Sequence, residues 1–344
     1  TSAGGWDIFT AKLDTDGNWL WAAGAGGNYN SGGLGISVDN FGNSYITGTY
    51  EATIMIGTES LSNSGNNDVF IAKLDTNGNW LWARRAGGTS NDISSGIIVD
   101  NFGNCYVSGY FNGAADFGAT LLTTGGNYDV FAVKLDANGN WLWAVNAGGT
   151  GNDYANALVL DRNNCCIFLT GSFYNAAQFG TNFMTSSGES DIFVARLDSD
   201  GNWLWATRGG GASSEEGLGI STDGKGNCYV TGEFYNDIQF GVMTLTGNGN
   251  SDVYVVKLAG PTPKAPQNLV ISAIGNDIRL TWNHVTEDKD GQPLTLDYYE
   301  IYYCQDHPDA SYSSLGQTSD SLFVHSGAAL SSPGFYYVKA VVAD

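Results

Sequence analysis

Four tryptophans, Trp19, Trp80, Trp141 and Trp203, lie 61, 61 and 62 residues apart, and each sits inside a copy of one segment. Around the second, the chain reads DVFIAKLDTNGNWLWARRAGG from Asp68 to Gly88. Copies begin at Asp7, Asp129 and Asp191, and a shortened one, DVYVVKLAG, begins at Asp252. A fixed period of this length marks a repeat architecture and constrains the fold more than any single motif.

Within one period the residues read as strands separated by turns. SSGIIVD ends at Asp100, the turn NFGN follows, and CYVSGYF alternates after it. A Gly-rich hairpin, a DVFIAKLD-type strand, an Asn-Gly turn and a WLWA-type strand complete the unit. Asn-Gly and Asp-Gly turns between such segments are strong hairpin signals, and helical periodicity is absent. The class is all-β. The 48 glycines recur at fixed places, as turn residues do, and the 13% aromatic content argues against disorder. In VFIA and WLWA neither alternate set is polar, as expected for sheets packed face to face.

The pattern GIxVDxxGNxYVTG…DxFVAKLDxxGNxLWxxxxGG resembles the bacterial seven-bladed beta-propeller (SBBP) repeats over about residues 1–258. That resemblance implies a β-propeller-like domain of four to five blades of about 61 residues, and it transfers no catalytic residue. Seven blades cannot be made from this many copies. A smaller ring, an open arc, or completion by another subunit are the alternatives. The VFIAKLD-type strand occurs five times and the others four, so one strand is surplus, and Asp252–Leu258 would compete with Asp7–Leu13 for one position.

The segment Gly260 to Pro266 breaks the composition and reads as a stiff linker between a repeat domain (1–259) and a second module (267–344). Trp282 on an early strand and the late Tyr336, Tyr337 and Val338 resemble the fibronectin type III β-sandwich. That domain would lack its last strand here, leaving an edge open to another chain.

A net charge of −21 repels nucleic acid and anionic lipid, so neither is an expected partner. No apolar run approaches the length of a membrane helix, and no signal peptide is visible at Thr1. Of five cysteines, Cys105, Cys165 or Cys166, and Cys228 each open a strand where the first repeat has Ser44. Equivalent positions are held apart by the repeat, so buried free thiols are expected. They lack the company a metal site needs.

The turns Asp14-Thr-Asp16-Gly17-Asn18 and Asp198-Ser-Asp200-Gly201-Asn202 echo the start of a calcium loop, but Trp-Leu-Trp follows where further ligands belong. They read as hairpin turns. No cofactor is expected, and Ca2+ is the one ion these turns leave open. The loop around Glu287, Asp288 and Asp290 reads as a solvated loop. Trp80 and Trp82 read as packing between repeats rather than a sugar platform. The ligand-binding candidates are the aromatics where loops begin: Tyr50, Phe111, Phe173, Tyr174, Phe234 and Tyr235. The repeats contain no histidine, and His284, His307 and His325 are scattered through the second module. Asp7, Asp68, Asp129, Asp191 and Asp252 occupy one strand-start position and read as turn and capping residues. Catalysis would need acids in different environments.

These features point to a non-enzymatic extracellular or cell-surface protein. One class is structural and adhesive, self-associating by strand exchange into a filament or surface layer. The alternative is a monomeric recognition module that binds glycan or protein through its loops.

Overall fold

The computed structural model describes residues 4–161, 166–223, 227–259, 265–288, 296, 298–304, 313–326 and 335–341. Every regular element among them is a strand. The chain divides into two compact units, residues 1–222 with 228–257, and residues 223–227 with 258–344. The expected linker lies mostly outside the described residues.

In the first unit one antiparallel four-strand sheet is written three times. Its middle copy runs Asp92–Val99, Cys105–Phe117, Thr120–Leu135 and Trp141–Gly149, each strand paired to the next. The copy before it is Ser31–Val38, Ser44–Tyr50, Asp68–Leu74 and Trp80–Gly88, and the copy after it is Asp153–Leu160, Cys166–Phe179, Asn182–Asp198 and Trp203–Gly211. Ile8–Leu13 and Trp19–Gly27 supply the last two strands of an earlier copy. Glu216–Thr222, Cys228–Phe234 and Asp252–Leu258 supply the first three of a later one. The two strands expected to compete for one position are therefore placed separately. Ile8–Leu13 pairs with Trp19–Gly27, and Asp252–Leu258 pairs with Cys228–Phe234.

The hairpin turns follow from their Asp-x-x-Gly-Asn spelling. Asp75 Oδ1 accepts the amides of Asn77 and Asn79 at 2.8 and 2.9 Å, and its Oδ2 accepts Asn79 Nδ2 at 2.9 Å. Gly78 takes φ +83°, the left-handed position that favours glycine. Asp14, Asp136 and Asp198 make the same three contacts. In each, the carboxylate is engaged by its own turn.

Successive sheets are joined in two ways. Ala115 and Asp116, on the arm that extends Cys105–Phe117, pair with Gly88 and Gly87 of the preceding copy. Ala177 and Gln178 pair with Gly149 and Gly148 in the same manner. The second tryptophan of each WLW segment then reaches the turn of the next copy. The indoles of Trp21, Trp82 and Trp143 donate to the carbonyls of Thr76, Ala137 and Ser199 at 2.9, 3.1 and 2.9 Å. This is the packing role expected of the paired tryptophans. Asp68–Leu74 is buried along its whole length, so both of its faces are covered. Cys105 and Cys228 are buried free thiols, and Cys166 is buried with its sulfur accepting Arg196 Nη2 at 3.0 Å; Cys165 lies outside the described residues.

Among its described residues the second unit has two three-stranded sheets. One pairs Asp277–Thr281 with Val270–Ile274 and Leu322–His325, and the other pairs Tyr298–Cys304 with Ser313–Thr318 and Phe335–Val341. Its core gathers Leu280, Trp282, Tyr299, Ile301 and Val338, with Trp282 against Tyr299 at 5.1 Å between ring centroids.

Candidate functional site

Where one repeat hands over to the next, two strand starts meet side by side. Asn67 bridges Asn91 in parallel, Tyr128 bridges Asn152, and Ser190 bridges Ser214. The amide of Asp92 donates to the Asn67 carbonyl at 2.8 Å, and that of Glu215 to Ser190 at 2.9 Å. The residue after each of these bridges is an acid, so three junctions pair two: Asp68 with Asp92, Asp129 with Asp153, and Asp191 with Glu215. Ser31 stands at the second acid's position in the first repeat.

These acids are buried. A Cβ on Gly87 would lie 2.6 Å from Asp68 Oδ1 and 2.9 Å from Asp92 Oδ2. On Gly148 it would lie 2.7 Å from both Asp129 Oδ1 and Asp153 Oδ2. Two carboxyls thus converge on one point that only glycine leaves open. Asp68 Oδ2 accepts the Ser64 amide at 2.9 Å and Arg85 Nη1 at 3.0 Å, while Asp92 Oδ2 accepts the Gly88 amide at 2.6 Å. Asp129 Oδ2 accepts the Gly125 amide at 3.0 Å, and Asp153 Oδ2 the Gly149 amide at 2.8 Å. Arg208 pairs with Asp191. Burial, then the neighbouring acid, pushes Asp92 up to about 6 and Asp153 and Glu215 up to about 7. As read from the sequence, the strand-start acids cap their own turns: Asp68, Asp129, Asp191 and Asp252 accept the amides of Ser64, Gly125, Ser187 and Asn248. The sequence reading did not include the second relationship, that Asp68, Asp129 and Asp191 each also lie beside an acid of the next repeat. Both members are buried, so the pair can hold a proton, and Asp129 also borders a hollow of about 560 Å3 with Gly125, Asn146 and Trp203.

Strand alternation sends the neighbours of these acids the other way. Asn67, Asn91, Tyr128 and Tyr154, each adjacent in sequence to a paired acid, line a hollow of about 300 Å3 with Ile93 and Tyr110. Tyr110 stands edge-on to Tyr154 and Tyr128, with centroids 4.8 and 5.5 Å apart. Asn67 Nδ2 donates to Asn91 Oδ1 at 3.0 Å, and Asn91 Nδ2 to the Tyr128 hydroxyl at 3.4 Å. The lining is aromatic and amide, half-buried, and uncharged. It can stack a small ring and hydrogen-bond its hydroxyls.

The six aromatics proposed from sequence are not brought together. Tyr50, Phe111 and Phe173 are 0% exposed, and Phe234 is buried too, so these four are core residues with no surface to offer. Phe111 packs on Phe117 at 5.9 Å, and the Tyr50 hydroxyl donates to the Ser62 carbonyl at 3.1 Å. Tyr174 is half-buried and Tyr235 is 37% exposed, and neither lines the tyrosine hollow. Tyr110, missed in the sequence, is the residue before Phe111. The period-2 alternation of SGYF carried the signal: Phe111 takes the core-facing parity, so its neighbour faces out. In the second unit the His284 ring lies 3.1 Å from the Tyr299 hydroxyl and the His325 ring 3.0 Å from that of Tyr336. His307 lies outside the described residues.

Comparison with known proteins agrees with the repeat reading. The Beta-propeller repeat (SBBP) family matches residues 81–118. An uncharacterized WD repeat-containing protein of Acanthamoeba polyphaga mimivirus is 30% identical over 203 residues, 49% of this chain and 14% of that protein. Regulatory protein FlaEY of Caulobacter vibrioides is 23% identical over 278 residues, 74% of this chain and 28% of that protein. The chain thus spans well under half the length of either relative. Among solved structures, Morganella morganii TcdA4 aligns over 91% of this chain and 20% of its own at 7% identity, with a TM-score of 0.26, too low to carry an argument. The fold and these matches define an all-β protein built of propeller-type repeats.

Proposed function

We propose that this chain is a non-enzymatic recognition module, displayed outside the cell, that binds glycan in the hollow lined by Tyr110, Tyr128 and Tyr154. The observation that carries the reading is the convergence of three tyrosine rings with the side-chain amides of Asn67 and Asn91 on one uncharged, half-buried opening. Aromatic faces suit the apolar side of a sugar ring, and amides and phenols suit its hydroxyls. The paired acids are buried away from that opening, which supports binding without catalysis. In this reading the repeat unit is a propeller of four to five blades, completed by further repeats or by a partner. The second unit, with Trp282 in its core, is a fibronectin III-like spacer.

The test is a glycan array followed by calorimetry on the full chain. Binding that falls at least tenfold in Tyr154→Ala and Tyr110→Ala, with both variants still folded, upholds the reading. No glycan binding, or binding indifferent to both changes, overturns it.

A second reading, self-association, draws on exposed apolar surface. A hollow of about 400 Å3 is lined by Ile8, Phe9, Leu13, Leu34 and Ile36, and Val253 and Val255 lie exposed on the strand Asp252–Leu258. A second copy presenting Val253 and Val255 would cover the first surface and extend the array into a filament or layer. Light scattering decides it: mass rising with concentration and abolished by Phe9→Asp supports assembly, and a monomer at all concentrations sinks it.

A further inference from the structure

We propose that the two carboxyls at each of the three acid-paired junctions hold one proton between them, and that this shared proton latches successive repeats together. The inference is independent of the glycan reading. It starts from oxygens without partners. Among the described residues, Asp68 Oδ1 and Asp92 Oδ1 are buried and accept no hydrogen bond, as are Asp129 Oδ1, Asp153 Oδ1 and Glu215 Oε1. A buried, unpartnered carboxylate oxygen is costly, and two ionised carboxylates close together cost more. In both junctions measured at a glycine, an orphaned oxygen (Asp68 Oδ1 or Asp129 Oδ1) faces the oxygen of its partner acid across the point Gly87 or Gly148 leaves open. A proton there lets one acid donate a charge-assisted O–H···O bond to the other and removes one negative charge.

A divalent cation would meet the same need, but two carboxylates are too few. Calcium takes six to eight oxygens, and among the described residues no group of three or more His, Cys, Asp or Glu side chains surrounds any point. The groups facing each pair are few. Arg85 and Tyr50 face Asp68, and the Asn112 amide faces Asp92. Asn146 faces Asp129, and Tyr154 lies beside Asp153. Arg208 faces Asp191, and the amides of Gly211 and Ser213 face Glu215. Arg85 and Arg208 place a positive charge beside one acid of their pairs. The Asp129–Asp153 junction has an amide in place of the arginine, so it is the cleanest case. Burial and the partner's charge raise Asp92, Asp153 and Glu215 toward neutrality, as a held proton requires.

The experiment is a carbon-13 carboxyl NMR titration of the full chain from pH 4 to 9, with Asp92→Asn and Asp153→Asn used to assign signals. Midpoints near 6 for Asp92 and near 7 for Asp153 are expected. Each asparagine amide replaces the shared proton, so each variant should melt at a temperature less dependent on pH than the parent. Midpoints near 4 for both signals would overturn the proposal. So would calcium chloride shifting those signals at neutral pH, which would assign the site to a cation. The titration needs no variant to fold, since a signal moving in the parent chain near pH 6 to 7 already decides the case.

Discussion

The Trp82 indole donates to the Ala137 carbonyl at 3.1 Å, crossing 55 residues of sequence to reach the turn of the next repeat. Gly139 of that turn lies under the same ring, so close that a Cβ there would stand 2.8 Å from it. One side chain thus supplies apolar cover and a specific hydrogen bond between repeats. Trp21 and Trp143 do the same at their own junctions. Nearest-neighbour contacts of this kind hold a repeat array together.

Trp82→Phe keeps most of the cover and loses the donor. The loss is expected to be about 1 kcal/mol, the net worth of a typical hydrogen bond. Trp82→Ala also empties the contact with Gly139 and should cost about 3–5 kcal/mol. Urea unfolding of both variants measures the difference. Equal losses would mean that the indole N–H contributes nothing.

Gly148 has φ +155°, and its missing Cβ is the space between Asp129 and Asp153. Gly148→Ala is therefore expected to destabilise by about 1–3 kcal/mol, from the strained backbone alone, before the carboxyls are pushed aside. Gly32 supplies the contrast, because a Cβ there meets nothing within 4 Å. Gly32→Ala should be neutral or slightly stabilising. Thermal unfolding of the two variants tests the pair, and a Gly148→Ala protein as stable as its parent would refute the crowding argument.

Phe111 and Tyr110 are sequence neighbours with opposite duties. Phe111→Ala should cost about 3–5 kcal/mol, the range for removing a buried ring. Tyr110→Ala takes away a half-buried ring at the hollow and should cost clearly less while weakening ligand binding. If Phe111→Ala melts like the parent, the core assignment is wrong.

That contrast also marks how far the sequence can be read. The period of the tryptophans, the Asp-x-x-Gly-Asn turns and the two-sided burial of DVFIAKL strands were all legible, because each depends on spacing within one copy. The binding surface was less so. A rule that loops carry function selected Phe111 and Phe173, but strand parity buries both and leaves Tyr110 outside. The acid pairs were harder still. Asp68 looks like Asp129 in an alignment of repeats, which hides the fact that its partner, Asp92, belongs to the next copy. The acid recurs at Asp92, Asp153 and Glu215, always the same distance after Asp68, Asp129 and Asp191, and that recurrence was the available signal. Reading it as a contact required knowing which strand starts lie side by side.

The pH dependence of stability brings these acids together with the turns. Asp92, raised to about 6, and Asp153 and Glu215, raised to about 7, bind protons more tightly in the folded chain than in the unfolded one. Their effect is fully favourable below the unfolded carboxylate range, near pH 4, and is lost as pH rises through 6 to 7. The turn acids act in the opposite sense. Hydrogen bonds from Asn18 hold Asp14 below its ordinary value, and those from Asn79 do the same for Asp75. Their stabilisation is present above about pH 4 and fades as pH falls through their lowered values. Between the two sets lies a window of about pH 4 to 6 in which both are favourable, and the net charge of −21 at neutral pH reinforces the acid-side preference through self-repulsion. The melting temperature of the full chain is therefore expected to peak in that window and to fall toward pH 8. Replacing Asp92 and Asp153 with asparagine together should flatten the neutral side of the curve and leave the acid side as it was. A parent curve that rises from pH 5 to 8 would show that the junction acids are ionised in the native state and that the burial argument fails.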